Sequence, residues 1–363
     1  MKLPKLQIDF DWSLVVIPLV LITAGIATLY SITTVTGRTT LAHDQIIYAV
    51  LAIALYVFFA ALDYRALRSY SWYLYIVGLI LLIAVNFFGQ EIFGSRRWIE
   101  LGFAQFQPSE VMKLVILVLG ANFFAQNEDV PVRKTIFFLL LAAIPLVLIL
   151  RQPDLGTALA ISAMLVGILT VAKIPRKVVL ILVALLVAAA PLAWFNLKSY
   201  QKERVVSFLE PAKDPRGSGY NVSQAKIAVG SGGIYGKGFG GTTQSQLQFL
   251  PVAHIDFIFS GWAEATGFIG SSLLVAAFAV LVARIYQIAN SARDRFGYIF
   301  STGAATLIFF QVLVNIGMNI GLMPVTGIPL PFVSYGGTSL LTSAMILGVV
   351  QSIYLRRKSL KFD

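Results

Sequence analysis

The chain has 363 residues, 58% of them hydrophobic and only 12% charged, with a mean hydropathy of +0.81. Soluble domains carry about 25% charged residues, so this composition excludes an ordinary soluble domain and points to the membrane. The net charge of +11 first suggests nucleic-acid binding, but the Lys and Arg residues are scattered over short loops, and a nucleic-acid partner is set aside; the lack of cysteine excludes disulfides, iron–sulfur centres and thiol chemistry.

Met1–Trp12 is polar and mixed in charge. The apolar stretch after it lacks a small-residue cleavage site and is too long for a signal peptide, so it is expected to stay as the first span. Ten spans are predicted, at about 13–33, 45–62, 72–90, 109–126, 135–150, 156–173, 178–196, 263–286, 298–321 and 336–355. Period-two alternation is absent, so they read as helices and not as barrel strands. The expected fold is an all-α polytopic membrane bundle, one domain over 1–363, with a large outer loop at about 197–262. With the N-terminus inside, inner segments hold 16 Lys/Arg and short outer loops 4, which places both termini in the cytoplasm.

Arg96-Arg97-Trp98 falls on a short outer loop, where the charge rule disfavours it. Either the two guanidiniums bind an anion such as a phosphate, or they meet lipid headgroups beside an interfacial Trp. Gln107-Pro108-Ser109-Glu110 opens the next span. Pro108 suits a first helical turn, and Glu110 sits where the helix dipole favours negative charge. Glu110 and Lys113 share one face at i, i+3. They are either a polar pair facing an outer cavity or a capping Glu with a snorkelling Lys. Asp154, after Arg151-Gln152-Pro153, is a candidate N-cap for the sixth span.

The long loop contains aromatic and apolar residues and is expected to fold back on the bundle. Val205–Leu209 and Ser223–Val229 read as short helices; Gly217, Gly219 and the run Gly230–Gly241 read as turns. That run fits a GxGxxG pattern, but no βαβ unit surrounds it. Asp256 ends the loop in His254-Ile255-Asp256-Phe257. It is either an N-cap or structural salt bridge, or a general base whose partial desolvation helps it take a proton. His254 and His43 are the only histidines, so a His-cluster metal site cannot form. The Pro-rich stretch Met323–Pro331 has no counterpart in the first half, which weighs against an inverted-repeat transporter.

Together these residues resemble the SEDS family (shape, elongation, division and sporulation) of polytopic glycosyltransferases. The resemblance rests on Asn315-Ile316-Gly317-Met318, Gly321–Gly327, Pro329–Gly337, Arg97-Trp98-Ile99, Gln107–Glu110 with Lys113, and Gln152–Ala158. Asp214–Tyr220, Thr243–Leu247 and Met318 resemble the elongation branch, typified by RodA, more than the division branch, typified by FtsW. Where the family reads P-E-x-H-T-D, this chain has Val252 and Ile255 in place of Glu and Thr; where it often has Glu-Glu, this chain has Glu264-Ala265.

The resemblance implies a peptidoglycan glycosyltransferase of the bacterial inner membrane, polymerising lipid II into glycan strands during elongation. The donor would be the glycan on undecaprenyl pyrophosphate, and the reaction site would face the extracytoplasmic side. It implies Asp256 as the catalytic base and Lys113, Glu110, Arg97, Arg96, Trp98 and Asp154 as substrate-binding residues. A class B penicillin-binding transpeptidase is the implied partner, in a bed of membrane lipid. No cofactor is implied for certain, and a divalent cation (Mg or Mn) at the pyrophosphate stays open. A lipid II flippase and a non-enzymatic scaffold for the transpeptidase remain the alternative classes.

Overall fold

The fold is described from a computed structural model over residues 10–34, 40–92, 95–100, 102, 105–126, 130–174, 202, 206–208, 217–246 and 254–357. Helices run in the order α1 (Ser13–Thr34), α2 (Thr40–Ala61), α3 (Tyr64–Ser69) and α4 (Ser71–Phe88). A small sheet follows: β1 (Gln90–Ile92), β2 (Ser95–Glu100) and β3 (Gln105–Phe106). Then come α5 (Pro108–Ala125), α6 (Val132–Arg151), α7 (Leu155–Val171), α8 (Ser218–Ser231), α9 (Thr243–Gln246), α10 (Ile258–Asn290), α11 (Arg295–Asn319) and α12 (Gly337–Leu355).

Eight of these helices are long and apolar enough to cross a membrane. α7, at 17 residues, is a shorter apolar helix at the position of the sixth expected span. The expected span 178–196 lies outside the described residues, as do Asp214, Arg216, Leu247 and Val252.

Three local readings need correction. Arg96 and Arg97 lie on a strand and not on a loop, because β2 pairs antiparallel with both β1 and β3. The turn-rich sequence around them hid a pattern only three short strands long. α8 is longer than the helix expected over Ser223–Val229 and takes in Gly219, since a helix already held by its neighbours tolerates glycine near its start. α10 begins at Ile258, so the polar loop ends earlier than 262, and Phe257 rather than Asp256 is its N-cap residue.

α5 is the buried centre of the bundle, with Met112, Leu117, Val118, Ala121 and Phe124 all at 0% exposure or close to it. α2, α4 and α6 keep apolar residues such as Val50, Phe58, Ile80 and Leu140 on their outward faces, as lipid-facing helices should. Glycines set the closest approaches. A Cβ on Gly348 of α12 would come within 2.6 Å of Tyr56 O on α2.

The stretch between α11 and α12 is the structural hub. It enters the bundle instead of passing over its end. Val333 sits so close to Gly25 that a Cβ there would overlap its carbonyl oxygen. Gly25 lies about 13 Å along α1 from its Thr34 end at about 1.5 Å per residue, so the Pro-rich stretch reaches well into the bundle. Its irregular backbone is tolerated because it is enclosed by protein. Gln45 of α2 donates to Ser334 O at 3.2 Å, and Tyr335 N donates to His254 O at 2.9 Å.

Candidate functional site

Polar residues at the starts of α5 and α7 converge with β2 into one buried row. Asp154 caps α7 by accepting from Thr157 N at 3.2 Å, as its position before Leu155-Gly156-Thr157 predicts. Its other oxygen accepts from Ser109 Oγ and Gln107 Nε2, both at 2.9 Å. Arg97 reaches the same carboxylate at 3.7 Å. Arg97 also donates from Nε to Gln152 O at 3.1 Å and from a terminal nitrogen to Pro153 O at 2.5 Å. The guanidinium thus wraps the end of α6 and steers Asp154.

Glu110 and Lys113 form an ion pair at 2.6 Å with both side chains buried. Thr157 Oγ1 links them to the Asp154 cluster through a 3.5 Å contact with Glu110 Oε1. The row therefore runs Arg97, Asp154, Thr157, Glu110, Lys113. Arg97 is its partly open end, at 21% side-chain exposure against 3% for Lys113. Trp98 lies beside Arg97, its ring centre 5.7 Å from the guanidinium carbon. Arg96, the neighbour on the strand, is exposed.

Asp256 enters through its main chain. Its carbonyl accepts from Asn315 Nδ2 at 3.1 Å and from Asn319 Nδ2 at 3.0 Å. Asn315 also donates to Ile328 O at 2.8 Å. Ser334 Oγ donates to Ile255 O at 2.6 Å. The Asp256 turn is thus sewn to the Pro-rich stretch. That same stretch meets the Asp154 cluster, where a Cβ on Gly156 would sit 2.9 Å from Thr326 O and 3.0 Å from Gly327 O. Thr338, just beyond it, accepts from Gln107 N at 3.1 Å and donates to Gln105 O at 3.0 Å. One scaffold therefore carries both the Asp256 turn and the cationic row.

His254 packs its ring 5.9 Å from Tyr335. Burial, then the nearby Tyr48 and Asp44, push the Tyr335 hydroxyl up to about 12, so it is a neutral phenol at ordinary pH. Among the described residues no group of three or more His, Asp or Glu is placed to hold a metal ion. Asp154 and Glu110 are already committed to side-chain and main-chain donors, a poor fit to a divalent cation.

Several participants had no assigned role in the sequence reading: Gln107, Ser109, Thr157, Asn315, Asn319 and Glu264. Their signal in the sequence was a polar side chain inside an apolar span or at its start. Which of these polar groups share a cluster is a matter of tertiary contact, and spacing along one chain does not reveal it.

A family profile described as a cell cycle protein and named for FtsW, RodA and SpoVE matches residues 7–359. A curated relative, the peptidoglycan glycosyltransferase MrdB of Escherichia coli K12, is 39% identical over 312 residues, covering 85% of this chain and 84% of that one. A probable peptidoglycan glycosyltransferase FtsW of Thiomicrospira cyclica is 35% identical over 364 residues, covering 97% and 93%. Among solved structures, a chain from a peptidoglycan synthase complex that coordinates polymerization and crosslinking superposes with a TM-score of 0.82 at 32% identity, covering 96% and 98%. The rod shape determining protein RodA of Thermus thermophilus superposes with a TM-score of 0.73 at 29% identity, covering 97% and 98%. Matched along nearly its whole length in sequence and in fold, the chain belongs to the FtsW/RodA/SpoVE family, the SEDS proteins, on the RodA-like side.

Proposed function

We propose that this chain joins lipid II units into glycan strands with Asp256 as general base. The enzyme class is settled by relatedness: the chain is a peptidoglycan glycosyltransferase of cell elongation, and the observation that carries this is its 39% identity to MrdB over most of both chains. It is a multi-pass inner membrane protein. Beyond that we read ten spans in a single domain, the seventh at 178–196, with both termini in the cytoplasm and the reaction site on the outer side.

In the proposed reaction the 4-hydroxyl of a lipid II N-acetylglucosamine attacks the anomeric carbon of the growing glycan. The new O4–C1 bond forms as the bond from C1 to the pyrophosphate oxygen breaks. Asp256 takes the hydroxyl proton, and undecaprenyl pyrophosphate leaves. One carboxylate is enough for a single inversion, unlike the pair used in glycoside hydrolysis. The departing pyrophosphate gathers negative charge, which fixed cations stabilise best. Arg97 is suited to this because it is partly open and oriented by three partners. Lys113 adds positive potential from deeper in the row, and Glu110 and Asp154 hold the two cations in place. Trp98 and Arg96 border the approach. The partner is read as a class B penicillin-binding transpeptidase, supported by the likeness to a chain of a peptidoglycan synthase complex.

The test is polymerisation of fluorescent lipid II by the purified chain with no other synthase. The wild-type protein should make strands, and Asp256→Ala, folded to the same melting temperature, should make none. Wild-type rates from Asp256→Ala would remove the base assignment. A wild-type chain that moves lipid II across vesicles without joining it would be a flippase. One that does neither, yet binds the transpeptidase, would be a scaffold.

A further inference from the structure

α10 is broken at Gly267, whose φ of 67° and ψ of −162° no helix contains. A break frees main-chain groups, and inside an apolar bundle they must find partners. The loop after α8 supplies them. Lys237 N donates to Glu264 O at 3.0 Å and Gly238 N to Ala265 O at 2.9 Å. In return Phe268 N donates to Gly233 O at 2.8 Å and Ile269 N to Ile234 O at 3.2 Å. Only glycine permits the approach, since a Cβ on Gly236 would overlap Ala265 O. The start of α10, from Ile258 to Thr266, is therefore a half-helix of its own, docked on this loop.

Glu264 lies on that half-helix at 0% exposure. Its Oε1 accepts from Thr243 N at 2.9 Å, from Gln244 N at 3.0 Å and from Lys237 Nζ at 3.2 Å. The two amides open α9, so the carboxylate caps a helix from outside it. Thr243 and Glu264 are 21 positions apart, and Asp256 lies between them. The Glu264 bonds thus close a loop of chain that carries Asp256. The same loop is also fastened by Asn315, Ser334 and Tyr335, and by Asn319, which holds both Asp256 O and, through Oδ1, Ser260 N at 3.1 Å. A buried carboxylate is a costly way to join two helices, and apolar packing would do it at less cost. What two backbone donors and an ammonium add is a fixed distance and direction.

We propose that Glu264 is a positioning residue for glycan transfer, setting the attitude of the Asp256 turn by tying α9 to the half-helix; this rests on Asp256 being the base. The experiment measures kcat and KM for lipid II, with melting temperature, on the full purified chain. Glu264→Ala should lower kcat about tenfold or more, with KM within about twofold. Glu264→Gln still accepts the two amide protons and should recover at least about a third of the wild-type kcat. A purely structural tie would lower melting temperature and active fraction together, with no rescue beyond the folded amount. If Glu264→Ala does not fold, Lys237→Met serves instead; it removes the ammonium, leaves both amide bonds, and should lower kcat about threefold. Wild-type kcat per folded molecule from Glu264→Ala, or from Lys237→Met where that stands in, overturns the proposal. Asp256→Ala run alongside separates the two ideas. If it is inactive while the Glu264 variants are unimpaired, only the positioning role fails. If it is fully active, the base assignment fails and takes the positioning role with it.

Discussion

Glu110 Oε2 lies 2.6 Å from Lys113 Nζ, and neither side chain is more than 4% exposed. In such a place the cost of desolvation rivals the attraction of the pair, so the pair is weak evidence for stability by itself. Its partners are chemically awkward when left alone. Lys113→Met should therefore destabilise the protein by about 3–5 kcal/mol, by leaving Glu110 buried and unpaired. Glu110→Gln with Lys113→Met should restore most of the melting temperature. It should not restore polymerisation, because the positive charge proposed to face the leaving pyrophosphate is gone. Recovery of both together would make the pair purely architectural.

Asp154 holds four donors, so its two simplest replacements separate capping from charge. Asp154→Asn keeps an acceptor for Thr157 N; its amide nitrogen can donate to Ser109 Oγ and leaves only the partly buried Gln107 amide without its acceptor, so it should cost about 1 kcal/mol. Asp154→Ala loses the cap and leaves the buried Ser109 hydroxyl and the partly buried Gln107 amide without their acceptor, which should cost about 2–4 kcal/mol. Both variants release Arg97 from its carboxylate. Polymerisation should fall in both, and the drop in melting temperature should be clear only for Ala. Equal melting temperatures for Ala and wild type would show that α7 needs no cap at Asp154.

The carbonyl of Asp256 takes two amide donors, from Asn315 and Asn319. A backbone carbonyl with two asparagine donors is held in direction as well as place. Asn319→Leu should lower kcat about tenfold while leaving KM within about threefold, since the proposed substrate contacts are elsewhere. Asn315→Leu frees Ile328 O as well, but Asn319→Leu should cost more in stability, because Ser260 N and Oγ lose their acceptor and Asn315 O its donor. A rise in KM with unchanged kcat would place these asparagines in binding instead.

The long spans were legible because hydrocarbon demands about 20 apolar residues of any helix that crosses it. Nine of the ten expected windows fall on helices, and the tenth lies outside the described residues. Local chemistry was legible too: Pro108 opens α5, and Asp154 caps α7. What escaped the sequence was any feature made by distant pairing. The β2 strand under Arg97 needs two other strands to exist. The break at Gly267 is invisible in a smoothly apolar window, since one glycine is tolerated in a helix unless another segment competes for its neighbours' hydrogen bonds. In the sequence Glu264 reads only as the remaining half of a Glu-Glu pair, and its meaning lies 21 positions away at Thr243.

The hub makes a last prediction about space rather than charge. Gly25 faces Val333, with Val333 Cα 2.9 Å from where a Cβ would stand. The atoms it would meet are all Val333 backbone, which cannot swing aside as a side-chain tip can. Gly25→Ala must therefore push the Pro-rich stretch off α1 or bend α1, at about 1–3 kcal/mol. That stretch carries Ser334 and Ile328, which fix the Asp256 turn, so polymerisation should fall along with melting temperature. Gly230, near the end of α8, has nothing within 4 Å of its Cβ position. Gly230→Ala should leave activity unchanged and raise stability by up to about 1 kcal/mol, because helical alanine loses less backbone entropy on folding. If both alanines behave alike, the approach of the Pro-rich stretch to α1 is looser than the packing of Gly25 against Val333 implies.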